Sequence, residues 1–262
     1  MTKRFRQISG IISKIRRSSG RGRLTLPMLA AVSVITLTAS LLLAGCQTVT
    51  GYSAASLVRA IDASYNAPAI NVFVEGTQLA ANLGQGSITA YGGFGPSPDA
   101  AVKATATSNA KTLVTSNAAL VVNKSQSVLV TNLNGDFAVT VLQDQTTPAP
   151  AGHSDFRVLN QAPSTGAVDI YFLPETTAEI FATAKPVISG LAVGATSGYI
   201  AIPSSTLFMV IAPTGTTLTV IATNIYSSSA LALVGGEVRT VLVVDPVLVT
   251  KPVQVYTAND VN

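Results

Sequence analysis

Val58-Arg59-Ala60-Ile61-Asp62 and Phe156-Arg157-Val158-Leu159-Asn160 are two versions of one strand, 98 residues apart. At the same offset, and without a gap, Ala69-Ile70-Asn71-Val72-Phe73-Val74 returns as Ala167-Val168-Asp169-Ile170-Tyr171-Phe172. Arg59 meets Arg157, Asp62 meets Asn160, Asn71 meets Asp169 and Phe73 meets Tyr171. A gapless match of this quality over the stretch 58–74 marks an internal duplication.

Working outward, each copy reads as strands. Ile70, Val72 and Val74 alternate with Asn71, Phe73 and Glu75, the period of a strand with two unlike faces. Further strand-like runs are 100–107, 118–122, 127–133 and 137–142 in the first copy. In the second they are 187–193, 199–202, 206–212, 217–222 and 237–244. Val and Thr dominate, Gly, Pro, Asn and Ser interrupt at short intervals, and sustained helical periodicity is absent. The pattern predicts an all-β chain of two tandem immunoglobulin-like antiparallel β-sandwiches over 57–145 and 155–262. The Pro/Gly/Ala/Thr stretch 146–154 reads as a linker. Each copy is expected to fold on its own core, with Ile70/Val72/Val74 and Val168/Ile170/Phe172 facing inward.

The N-terminal part is different in kind. Eight of the 16 basic residues, Lys3 to Arg23, precede Cys46, and no Asp or Glu does. From Cys46 onward eight basic residues face twelve acidic ones, a net of −4, so the basic pI belongs to the leader. That argues against nucleic acid as a partner, which requires a basic patch on a folded surface. An uncharged run, 24–45, follows and closes on Leu43-Ala44-Gly45-Cys46. Basic head, apolar middle and small residues before a cut define an export signal. The run is also long enough to cross a bilayer as an uncleaved helix, which is the alternative, although Pro27 shortens it.

Leu43-Ala44-Gly45-Cys46 resembles the lipobox of bacterial lipoproteins at all four positions. The resemblance implies a diacylglycerol thioether on Cys46, cleavage between Gly45 and Cys46, and membrane lipid as the partner of that anchor. Residues 1–45 are then a lipoprotein signal and 46–56, small and polar, a tether. Gln47 follows the cysteine where an Asp would imply retention, so the resemblance implies the outer membrane if the source has two membranes. Cys46 is the single cysteine, so the folded part has no disulfide.

The opening pattern Val58-Arg59-x-Ile61-Asp62-Ala63-Ser64-x-x-Ala67-Pro68-Ala69-Ile70-Asn71-Val72-Phe73-Val74-x-Gly76 resembles the envelope family called domain of unknown function 4397. Its members often show an Arg-bearing strand, a turn ending in Ala-Pro, and a strand closed by an Asp-Gly-like turn, here Glu75-Gly76. The second copy keeps Arg157 and Asp169 but has Thr165-Gly166 for Ala67-Pro68. The resemblance implies secreted or lipid-anchored sandwiches and carries no activity or site residue with it.

Few residues suit catalysis. His153 is the single histidine and falls in the linker stretch, a poor setting for a general base. One His and one Cys cannot build a zinc site of the usual kind, and no Asp-x-Asp-x-Asp calcium loop occurs, so no metal or cofactor is expected. The glycine patterns at 84–86 and 92–95 lack the strand-turn-helix setting of a phosphate loop and read as turns. Arg59 and Arg157 read as structural, with Asp62/Asn160 and Asn71/Asp169 as natural partners. The expectation is a non-enzymatic, lipid-anchored envelope protein that binds an envelope protein or glycan or gives structural support. One alternative is a carbohydrate or surface-adhesion module, which requires exposed aromatics. The other is an envelope hydrolase, which requires two facing carboxylates in a cleft.

Overall fold

The computed structural model describes residues 54–220, 223–246 and 252–261. The signal 1–45, Cys46 and the tether as far as residue 53 lie outside them. The first copy contains β1 (Ser56–Asp62), β2 (Ile70–Val74), β3 (Thr77–Leu83), β4 (Gly92–Phe94), β5 (Ser97–Ala106), β6 (Thr112–Leu120), β7 (Ser125–Thr131) and β8 (Ala138–Gln143). The second contains β9 (His153–Gln161), β10 (Val168–Leu173), helix α1 (Ala178–Thr183), β11 (Ile188–Leu191), β12 (Ile200–Pro203), β13 (Thr206–Pro213), β14 (Tyr226–Ser227), β15 (Leu231–Ala232), β16 (Val238–Val244) and β17 (Gln254–Asn259).

Each copy is a two-sheet sandwich, as the alternation predicts. The outer sheets run β3-β2-β5-β6 and β11-β10-β13-β14, and the inner sheets run β4-β1-β7-β8 and β12-β9-β16-β17. Most pairs are antiparallel, but β1 pairs β7, and β9 pairs β16, in parallel. That departs from the purely antiparallel expectation. A parallel pair needs a long crossover, and here the rest of the sandwich supplies it. Ile70, Val72 and Val74 pack on Val58, Ala60, Val128 and Val130 in one core. Val168 and Ile170 pack on Phe156, Val158, Val241 and Val243 in the other, with Phe172 against Phe156 at 4.8 Å. The two hairpin residues Glu75 and Gly76 both take positive φ, 50° and 75°, the geometry that matches strand twist in a two-residue turn.

Three local readings are corrected. The run 217–222 is not a strand over its described part, because Leu218 folds onto the back of the outer sheet beside Tyr171, Phe181 and Val210. Helix α1, capped by Thr177, has no counterpart in the first copy and covers that patch. His153 is not in a linker but opens β9, opposite Pro203.

The copies do not stand apart. β1, β7, β9 and β16 are buried on both faces. Their second faces meet in a third apolar cluster of Ile61, Ala63, Leu129, Leu159, Leu242 and Val244. Burying a large aliphatic contributes roughly 1.5–3 kcal/mol, so this seam is a substantial attraction between the sandwiches. Paired glycine turns close its ends. Gly86 N–H donates to Asp62 O, Gly194 N–H donates to Asn160 O, both at 2.7 Å, and both glycines have positive φ. A Cβ on Gly86 would lie 2.1 Å from the ring of Tyr256 in the other copy. Gly86→Ala should therefore lower stability by about 1–3 kcal/mol. Gly84→Ala, with nothing within 4 Å of its added Cβ, should leave it within about 0.5 kcal/mol. Urea denaturation of the two variants measures the difference.

Candidate functional site

Alternation along β1 sends Val58 and Ala60 into the first core and Arg59 and Ile61 to the seam; β9 treats Phe156, Arg157, Val158 and Leu159 in the same way. Arg59 and Arg157 are 1 % and 3 % exposed. A buried guanidinium must be paired, and each is paired by the opposite copy. Arg59 Nη2 donates to Asp260 Oδ1 at 2.5 Å, and its Nη1 to the carbonyl of Asn259 at 3.1 Å. Arg157 Nη2 donates to Asp144 Oδ1 at 2.5 Å, and its Nη1 to the carbonyl of Gln143 at 3.1 Å. Both Asp side chains are fully enclosed.

The second oxygen of each carboxylate is held from within its own copy. Asp144 Oδ2 accepts from Tyr91 Oη and Ser127 Oγ, both at 2.7 Å. Asp260 Oδ2 accepts from Tyr199 Oη at 2.6 Å and Thr240 Oγ1 at 2.7 Å. The tyrosine rings also lie under the arginines, Tyr91 4.8 Å from the Arg59 guanidinium and Tyr199 4.9 Å from that of Arg157. Burial, above all, pushes both phenols well above their ordinary range, with Arg59 and Arg157 opposing and the carboxylates adding to the shift. The phenols therefore stay protonated as donors.

One departure from symmetry is informative. Arg59 Nε donates to Ser127 Oγ at 2.7 Å, whereas Arg157 Nε has no partner among the described residues. Thr240 stands between the guanidinium groups, its Oγ1 accepting from Arg59 Nη2 at 3.1 Å and Arg157 Nη2 at 2.8 Å. Two cations meeting at one hydroxyl are tolerable because two carboxylates neutralise them in the same enclosure.

The partners suggested for the arginines are corrected. Asp62 accepts from Ser64 N–H and Oγ instead. Asn160 clamps its own loop through Gly166 O, Leu191 O and Ala162 N–H. Asn71 accepts from Asn82 N–H, and Asp169 from Gly190 N–H, Ser189 and Thr214. These four residues hold loops and do not reach the arginines. The residues missed were Tyr91/Tyr199, Ser127/Thr240 and Asp144/Asp260. A signal for them existed: Gly86-x-x-Thr89-x-Tyr91 returns as Gly194-x-x-Ser197-x-Tyr199, and Gln143-Asp144 returns as Asn259-Asp260.

Of the aromatics, Tyr65 is exposed and Phe73 lies on the outer face of β2, while Tyr91, Tyr171 and Tyr199 are partly or fully covered. Tyr91 and Tyr199 serve the carboxylates, Tyr171 is 6 % exposed beneath α1, and Phe73 is half-buried under Lys103 at 5.1 Å. The Asp144/Asp260 pair is the meeting of carboxylates that a hydrolase would need. Both carboxyl groups are fully enclosed, however, and their oxygens are committed to arginines and hydroxyls. Among the described residues no group of three or more His, Cys, Asp or Glu is placed to hold a metal. Cys46 and Gly45 lie outside the described residues.

Removing one member strands a buried charge. Arg59→Met or Asp260→Asn should each cost about 3–5 kcal/mol. The double variant should cost less than the sum, and denaturant titration of the cycle measures the coupling. A second test concerns Asp62, whose Oδ2 is buried without a partner and whose carboxyl is held above its ordinary pKa by burial, with the Ser64 hydrogen bonds opposing. A raised folded-state value means that ionisation costs stability as pH rises through it. Asp62→Asn, the residue at the equivalent position 160, should match wild type near pH 3 and exceed it near pH 7. Thermal melts across that range check the sign.

No curated protein matches the chain. Residues 56–171 match the model of the family described as Domain of unknown function (DUF4397), a stretch that runs from β1 into β10 and includes Arg157. That match agrees with the resemblance of the opening strands to the same family.

Proposed function

We propose that this chain is a lipid-anchored protein of the cell envelope, whose folded part is a binding or structural body and performs no catalysis. The observation that carries the reading is Leu43-Ala44-Gly45-Cys46, standing after a basic, acid-free head and an uncharged run, ten residues before β1 begins at Ser56. A thioether-linked diacylglycerol supplies two acyl chains, enough for stable anchoring where one gives only marginal binding. Gln47 in place of Asp directs the protein to the outer membrane of a two-membrane cell.

The fold supports a non-catalytic role for a physical reason. The residues that most resemble a reactive constellation, two Asp, two Tyr and two Arg, are consumed in joining the sandwiches. Both carboxylates are enclosed, and each of their oxygens already accepts a hydrogen bond. The function then lies in what the outer surface displays, to an envelope protein or a glycan.

Cys46→Ser tests the anchor. A thiol is the nucleophile that lipidation requires, and a hydroxyl does not replace it. Metabolic labelling with a fatty-acid probe should mark wild type and leave the variant unmarked, and equal labelling of both would refute the reading.

A further inference from the structure

The chain enters the first sandwich at Ala55-Ser56, beside the turn that joins β6 to β7. Asn123 N–H donates to Ala55 O and Leu57 N–H to Lys124 O, both at 2.9 Å, and Lys124 N–H closes the turn on Val121 O at 3.2 Å. Gln126 fixes it further: its Oε1 accepts from Ser56 Oγ and from Val121 N–H, and its Nε2 donates to Ala119 O. On this well-held base Leu57, Val121 and Val122 are 42 %, 39 % and 41 % exposed.

The second copy contains the same turn as an internal control. Gly236 N–H donates to His153 O, Asp155 N–H to Glu237 O and Glu237 N–H to Val234 O, reproducing the three bonds one for one. Backbone equivalence therefore pairs Leu57 with Asp155, Val121-Val122 with Val234-Gly235, and Lys124 with Glu237. The fold does not require the side chains of the first copy, since the second makes the turn with two glycines and two acids. What distinguishes the first copy's turn is extra apolar surface and a cation, and it adjoins the point where the chain arrives from Cys46. The nine residue steps from Cys46 to Ala55 span at most about 32 Å.

From this we propose that the Val121–Lys124 turn and Leu57 form a membrane-facing contact, resting on the lipid-anchor reading above. The valines and Leu57 enter the boundary between headgroups and acyl chains, and Lys124 lies among anionic headgroups. Alone the patch is too small to hold a protein on a bilayer. Tethering removes that requirement, because the acyl chains keep the turn within reach and its local concentration high. The contact then sets orientation: the first sandwich stands at the membrane, and the Val234–Glu237 turn is not drawn to it.

The test uses the mature, lipidated protein in vesicles of phosphatidylethanolamine and phosphatidylglycerol. Lipidation consumes the Cys46 thiol, so a fluorophore placed through Val121→Cys or Val234→Cys labels one site, and both sites are exposed and tolerant of change. Brominated lipid should quench the label at 121 several-fold more than the label at 234. Adding Val122→Asp and Lys124→Glu should reduce quenching at 121 to the level at 234. Vesicles that carry the protein by flotation but quench the two labels equally would overturn the contact while leaving the anchor intact. Label–label self-quenching at 121 without bromolipid quenching would assign the patch to a second copy and also overturn it. Failure of wild type to float with vesicles would overturn the anchor and the contact together.

Discussion

Two arginines, each neutralised by the other copy's last aspartate, are the constraint on which the rest of this structure depends. Arg59 reaches Asp260 and Arg157 reaches Asp144, each at 2.5 Å, so the closest charge partner of each buried cation comes from the other sandwich, while Asp144 of its own copy stands 3.7 Å from Arg59 Nε. Burying four charges is costly, and in net terms such a network contributes little beyond an apolar seam of the same volume. The attraction comes from Ile61, Leu129, Leu159 and Leu242. The ion pairs supply specificity. A seam of aliphatics could slide by a residue, but any slip would leave guanidinium groups facing hydrocarbon. The exchange thus fixes the register of two surfaces that hydrophobicity alone would leave loosely defined.

Much of the fold was legible because strands constrain sequence in a simple way. The two-residue alternation of Ile70/Val72/Val74 and Val168/Ile170 identified the core faces, and the repeated Arg59/Arg157 identified the right cations. Their partners were not legible because the offset between copies grows. It is 98 residues at the arginines, 108 at Tyr91/Tyr199, 113 at Ser127/Thr240 and 116 at Asp144/Asp260. Helix α1 lies in the interval where the first increment arises, and loops absorb the others. Asp62 was the tempting partner because it is near in sequence. Yet Arg59 and Asp62, three residues apart on one strand, point to opposite faces. That same argument, applied strictly, would have sent Arg59 away from its own copy.

The comparison between copies also separates what the fold needs from what it displays. Positions that bind the seam match in chemistry: Arg with Arg, Tyr with Tyr, Asp with Asp, Ser127 with Thr240. Positions on the periphery diverge. The outer sheet of the second copy is covered by α1 and Leu218, while the equivalent surface of the first carries Phe73 and Lys103. The turn at Val121–Lys124 is apolar and cationic, whereas its counterpart is glycine-rich and ends in Glu237. The duplicated fold thus shares one lock and differs in the outer surfaces that it displays.

The central claim is that the sandwiches form one cooperative unit because each completes the other's charge pairing. Native-state hydrogen exchange on the unaltered protein tests it most directly. Core amides of β2 and β5 in the first copy, and of β10 and β13 in the second, should open with one common free energy and one common denaturant dependence. Exchange of one copy's core at a distinctly lower free energy, while the other stayed protected, would contradict the account.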